Sequence, residues 1–207
     1  QIVRNPETSK NPSYMRKIIK TVGEISLAEK SIRELRDWYL GLTTDDNETV
    51  LDLASTTKKI INAVKGLAQE NNILVSLKIP PNFVKIKARS SQFQQVFINL
   101  LLNAIQQMTE IQREVNIFID FSISNNEAFP IQIRIIDEGP GIHSVFLEKI
   151  FDFGFSTRNS GAGLGLTISR QIIKEYLGRL TVESSKLFSG TTFLIELPKG
   201  GIYDKSN

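Results

Sequence analysis

Two stretches, VNIFIDFSI at 115–123 and IQIRIIDEG at 131–139, are apolar, rich in β-branched residues and arranged with a period of two, which fits a strand and not a helix. Next to them in the sequence lies QFQQVFINLLLNAIQQM at 92–108, where Phe93, Phe97, Leu100, Leu101, Ala104, Ile105 and Met108 recur at helical spacing and form one buried surface. Around this pairing of sheet and helix the elements alternate. A short strand is expected near 50–53, a helix over 55–69, and strand-like ILVSLKI and FVKIKA on either side of the Pro80-Pro81 turn. A helix over 91–108 follows, then the two long strands, a loop-rich stretch, a glycine-fronted helix over 166–176, and a closing pair, RLTVESS and TTFLIELP. Mixed strands and helices with hairpin connections predict an α+β sandwich, a single sheet with helices on one face.

The N-terminal part has a different period. Residues 1–12 read as a loop. From Ser13, a suitable N-cap, apolar residues recur at Ile18, Val22, Ile25, Ala28, Ile32, Leu35, Tyr39 and Leu42, one stripe on a long helix. A lone helix cannot bury that stripe, so a partner helix is expected, in a hairpin or a dimeric bundle. GLTTDDNET at 41–49 breaks the pattern and sets the boundary: residues 1–47 form one unit and 48–207 another. The chain starts at Gln1, which reads as a fragment of a longer protein whose upstream part could span a membrane.

Composition narrows the function. Lys and Arg number 25 against 22 Asp and Glu, a net charge of +3 without clustering, so neither a nucleic-acid stripe nor a polybasic membrane patch is present. The absence of cysteine excludes disulfides, thiolate chemistry and cysteine-bound zinc, and is compatible with the reducing cytosol.

Three local patterns could carry chemistry. Gln92, Gln95, Asn99, Asn103 and Gln106 fall three or four apart and share a second, polar stripe on the 91–108 helix. A carboxamide oxygen is a neutral hard ligand suited to magnesium that also holds phosphate oxygens, although, taken alone, amides on a solvated face explain such a row more often. In IIDEGPGI, 135–142, Asp137 at a strand end can accept a hydrogen bond from an exocyclic amine, while Gly139 and Gly141 allow close approach of a flat ring or a sharp turn. GAGLGL at 161–166 exposes N–H groups at the positive end of a helix dipole, a setting for polyphosphate that is neither a Walker A nor a Rossmann fingerprint.

In order and spacing, residues 94–197 resemble the ATP-binding catalytic domain of sensor histidine kinases, within the ATPase superfamily that includes gyrase, heat-shock chaperones and mismatch-repair proteins. NLLLNA at 99–104 looks like the N box, DEGPG at 137–141 the G1 box, IFDFGFSTR at 150–158 the F box, GAGLGL the G2 box, and GTTFLIELP at 190–198 the terminal glycine-threonine strand. The resemblance implies a two-layer α/β sandwich of the Bergerat type preceded by a long helix of a dimerisation hairpin, with ATP and Mg²⁺ as cofactors. It also implies that Asn103 coordinates the metal, with Asn99 facing the same site, and that Asp137 binds the adenine amine with Thr191 supporting it through water. Gly139 and Gly141 would shape the adenine loop, and Gly161, Gly163, Leu164 and Gly165 the lid hinge and its phosphate-facing N–H groups. Phe151, Phe153 and Phe155 would anchor the lid, and Arg158 would reach phosphate oxygens.

The sequence departs from that pattern in places. Asn99 stands where the hydrolysing branches carry a glutamate base, which favours phosphoryl transfer over ATP hydrolysis. Gln106 stands where a basic residue is common, and Phe153-Gly154 where Pro-Phe is usual. The only histidine, His143, sits in a loop and does not match a phosphoacceptor, so the acceptor is expected outside this chain. The partners implied are a response regulator receiver domain and a second copy through the helical hairpin, with no nucleic acid and no direct membrane contact. The compartment implied is the cytoplasm. A serine kinase of the anti-sigma type and a non-catalytic nucleotide-binding scaffold are the alternatives.

Overall fold

A computed structural model describes residues 47–199, apart from 82, 110, 112, 113 and 158–162, together with the backbone of Ile202–Tyr203. The helix read over 13–42, the loop before it and the unit assigned to 1–47 therefore lie outside the described residues, as do Arg158 and Gly161.

The elements run β1 (Thr49–Leu51), α1 (Leu53–Glu70), β2 (Ile73–Lys78), β3 (Lys85–Ala88), α2 (Ser90–Met108), β4 (Val115–Ile123) and β5 (Ile131–Asp137). Two single 3-10 turns follow, at Ser144–Phe146 and Lys149–Phe151, then α3 (Gly165–Glu175), β6 (Arg179–Lys186), β7 (Gly190–Leu197) and β8 (Ile202–Tyr203). The main sheet has the order β2-β4-β5-β7-β6 and is antiparallel except where β2 lies beside β4. A parallel pair needs a crossover, and α2 lies on the path between β2 and β4. The strands flanking Pro80-Pro81 consequently do not pair with each other: β3 joins β1 and β8 in a separate small antiparallel sheet. The single sheet expected from the sequence is thus accompanied by a second.

Alternation sets the two faces of the main sheet. Val115, Ile117, Ile119 and Phe121 of β4 are buried, as are Ile131, Ile133 and Ile135 of β5 and Phe193, Ile195 and Leu197 of β7. In register, Ile119 faces Ile135 and Ile135 faces Phe193, so these side chains form continuous rows across the strands. The helices cover this face. All seven apolar residues expected on one surface of α2 are buried, with Phe97 6.2 Å from the Phe121 ring. Helix α1 is capped by Asp52, whose carboxylate accepts the Ser55 N–H at 3.0 Å, and it buries Ile60, Val64 and Ala68. The opposite face of the sheet is mixed: Phe118, exposed, is the register partner of Ile136, and beside them Arg134 donates from Nε and Nη2 to Glu183 at 2.8 and 2.7 Å, and Lys78 lies 3.2 Å from Asp120. These partly exposed pairs keep that face wetted and add little stability.

Phe97, fully buried between α2 and β4, reports on this packing. Phe97→Ala is expected to lower the unfolding free energy by about 3–5 kcal/mol, read as a lower denaturant midpoint at unchanged slope.

Candidate nucleotide-binding site

The same alternation that buries Ile131, Ile133 and Ile135 brings Asp137, the last residue of β5, onto the core face. Only 6% of Asp137 is exposed. Its Oδ1 accepts the Gly139 N–H at 2.9 Å, and the Thr191 N–H gives a second backbone bond from β7. Burial outweighs these two donors and pushes the carboxyl up to about 6. Thr191, itself buried, is the register partner of Asp137.

Asp137 opens into a cavity of about 640 Å³ between α2, the loop after β5 and the start of α3. Gln95, Asn99, Asn103 and Gln106 line it from α2, Pro140, Gly141 and Ile142 from the loop, and Gly163, Leu164 and Gly165 from the α3 side, with Thr191 in the wall. The amide stripe therefore divides. Four members face the cavity, whereas Gln92, 3% exposed, is satisfied between the helices: its Nε2 donates to Glu175 at 3.0 Å and its Oε1 accepts the Tyr176 hydroxyl at 2.5 Å. Asn99 spans the two helices, with Nδ2 donating to the Gly165 carbonyl at 3.1 Å and lying 3.3 Å from Ser169 Oγ.

Gly141 has φ +74°, and a Cβ there would lie 2.2 Å from the Lys186 carbonyl oxygen, so both the turn and the close approach require glycine. Gly163, φ +67°, is held in the same way against the Phe155 carbonyl. Gly139 does not line the cavity; its N–H stands behind Asp137 and holds the carboxylate. Leu164 is buried at the start of α3, where Gly165 begins the helix.

The F-box-like stretch is tied to α3. Thr167 Oγ1 lies 3.1 Å from both the Phe151 and Asp152 carbonyls, Arg170 lies 4.8 Å over the Phe151 ring, and Phe155 packs on Phe146 at 5.5 Å. Phe153 departs from the expected anchoring. It occupies a turn closed by the Phe155 N–H donating to the Asp152 carbonyl at 3.1 Å, and this turns it outward, 69% exposed. His143 caps the turn at Ser144–Phe146 and lines the cavity. Ile142, Phe146, Ser156, Thr157 and Leu187 also line it; they belong to irregular segments whose sequence carries no period from which a face could be read.

A carboxylate on the core face of a strand end, an amide-bearing helix and a glycine-fronted helix N-terminus around one cavity define a nucleotide-binding α+β domain. The family described as histidine kinase-, DNA gyrase B- and HSP90-like ATPase matches residues 88–201, and the chain belongs to it. Sensor protein FixL of Bradyrhizobium diazoefficiens is 32% identical over 83% of this chain and 33% of its own length, and sporulation kinase E of Bacillus subtilis is 31% identical over 74% of this chain and 20% of its own. The chain thus spans a third or less of these two relatives. The catalytic domain of histidine kinase ThkA superposes with a TM-score of 0.64 at 26% identity, over 74% of this chain and 96% of that domain. The fold is that of a histidine kinase catalytic domain, and membership of the family makes ATP the nucleotide.

The buried carboxyl has a sign that can be tested. A carboxyl raised from 3.8 to about 6 is bound more tightly to its proton in the folded chain, so its favourable contribution is complete below about pH 4 and is lost as pH rises through 6. Asp137→Asn, neutral throughout, is expected to be more stable than the parent by about 1–3 kcal/mol at pH 7, with the difference shrinking toward pH 4 in denaturant titrations.

Proposed function

We propose that this chain is the ATP-binding catalytic portion of a two-component sensor histidine kinase. It transfers the ATP γ-phosphoryl to a histidine outside these 207 residues, from which the phosphoryl passes to an aspartate of a response regulator receiver domain. One observation supports this most directly: Asp137, Asn103 and the N-terminus of α3, distant in sequence, line a single cavity.

In this reading Asp137 accepts the adenine amine, Thr191 supports the base through water, and Gly141 lets the loop lie against the ring. Asn103 would offer its amide oxygen to Mg²⁺, which would supply charge neutralisation at the phosphates. The donor set fits such an ion: amides, which are neutral hard ligands, line the cavity from α2 and leave the remaining ligands to phosphate and water. Gly163, Leu164 and Gly165 place backbone N–H groups at the positive end of α3 for the phosphates. Arg158 and Gly161, outside the described residues, are assigned to the phosphates and the lid hinge by their place in the motifs.

Asn99 decides the reaction type. A carboxamide cannot take a proton from water, and its Nδ2 is engaged with α3, so no general base stands one helical turn before Asn103. Catalysis then consists of holding the γ-phosphoryl in line with a delivered nucleophile and screening its charge. Residues 1–47, read as the connecting loop and second helix of a dimerisation hairpin, would be part of the element through which two copies of the full protein associate, and the compartment is the cytoplasm. Among the described residues no helix is long and apolar enough to cross a membrane.

Calorimetric titration with ATP·Mg²⁺ tests the site. Asn103→Ala and Asp137→Ala are each expected to weaken binding at least about tenfold, since each removes a hydrogen-bonding or ligating group from the site. If both bind like the parent, the assignment is wrong. Supplying the chain with a helical hairpin that bears a histidine, together with radiolabelled ATP, should give a phosphorylated hairpin whose label is lost in acid and kept in alkali. An acid-stable product would indicate a serine kinase instead.

A further inference from the structure

Strand β5 stops where the cavity wall begins, and it stops on a side chain. Ile117 of β4 and Asp137 of β5 are register partners, so the pair beyond them is Asn116 and Glu138. In a hydrogen-bonded antiparallel pair the two residues exchange both of their backbone bonds. One half of that exchange is present, the Glu138 N–H donating to the Asn116 carbonyl at 3.3 Å. The other half goes to the Glu138 side chain: the Asn116 N–H donates to Glu138 Oε2 at 3.0 Å, and Asn116 Nδ2 donates to the same oxygen at 3.2 Å. The donors are N–H groups and the acceptor is a carboxylate, so the direction of each bond is fixed.

The C=O and N–H of a trans peptide point in opposite directions. A Glu138 carbonyl held by Asn116 would therefore aim the Gly139 N–H along the sheet toward β7. Asp137 carries its carboxylate on the core face, out of that direction. With its side chain serving Asn116 instead, Glu138 leaves the Glu138–Gly139 peptide free to turn, and the Gly139 N–H meets Asp137 Oδ1 at 2.9 Å. The two are pressed together: a Cβ added to Gly139 would lie 2.7 Å from that oxygen.

We propose that Glu138 is a positioning residue for the base end of the site: by accepting the Asn116 N–H in place of its own carbonyl, it turns the Glu138–Gly139 peptide so that Gly139 holds the Asp137 carboxylate toward the cavity. Glu138 does not line the cavity, so it acts through Asp137. This rests on the reading of the cavity as an ATP site with Asp137 at the adenine amine.

The test measures ATP·Mg²⁺ by calorimetry and adenosine by NMR titration, on the 207-residue chain and three variants checked for folding by circular dichroism. Glu138→Ala is expected to weaken ATP and adenosine alike, about three- to tenfold, the effect of one loosened hydrogen bond at the base, and to speed amide hydrogen exchange at Gly139. Glu138→Gln loses the charge and keeps an acceptor oxygen, and should hold both affinities within about twofold of the parent. Glu138→Met, similar in length with only a weak acceptor, should fall with Glu138→Ala and serves if the alanine variant does not fold. A merely structural role would lower the denaturant midpoint and leave the affinities and the Gly139 exchange at parent values, and the proposal would be overturned. It is overturned equally if Glu138→Gln falls with Glu138→Ala, which makes the charge decisive, or if ATP weakens and adenosine does not, which puts the effect at the phosphates. If the parent binds neither ligand, the ATP site itself is wrong and the proposal falls with it.

Discussion

A carboxylate placed in phase with the apolar row of a strand is the constraint on which the site depends. Asp137 continues the sequence Ile131, Ile133, Ile135 onto the core face, where ionisation is disfavoured by burial. Two backbone N–H groups, from Gly139 and Thr191, offset part of that cost without cancelling it. A residue that breaks the binary pattern in this way, at the mouth of a cavity, lowers stability in exchange for a fixed acceptor, a trade found where function overrides packing. The position of Thr191 opposite, and the glycine turn that follows, are arranged around that one group.

Helix α2 belongs to the core and to the cavity at once. Its apolar side is buried toward the sheet, with Phe97 beside the Phe121 ring, while Asn99 and Asn103 one turn apart line the cavity. Any shift of α2 would therefore move the amides relative to Asp137, and the sheet packing is what holds the distance. Asn99 extends this control to α3 by bonding the Gly165 carbonyl in its first turn. Gln92, at the other end of the same stripe, locks the helices together through Glu175 and Tyr176. The amide row is thus a register between two helices as much as a lining.

Among the described residues the charge in the cavity wall is sparse. Asp137 is the one carboxylate in its lining, and Asn99, Asn103 and Gln106 bring amides to it from α2. In the proposed reading such groups would hold a polyphosphate without requiring a proton to move, which suits transfer by positioning more than hydrolysis by a base.

Much of the fold was legible in sequence because periods of two and of 3.6 are local properties. The long strands at 115–123 and 131–137, the seven buried residues of α2 and the glycine-fronted α3 follow from them. The small sheet was not legible as such: strands of three, four and two residues are too short for a period, and pairing partners far apart leave no local mark. The motifs imply one site for Asn103, Asp137 and Gly163, but periodicity alone does not say which amides turn to the cavity, because Gln92 shares the stripe and is bonded to Glu175 and Tyr176 instead. Phe153 shows the same limit in reverse, an aromatic read as an anchor that a turn directs into solvent. What the chain determined by itself was which residue types recur on which face. What only the tertiary structure decided was which faces meet, because the parallel β2–β4 pairing and the strand register that aligns Ser185, Thr191 and Asp137 arise from contacts between segments far apart in the chain.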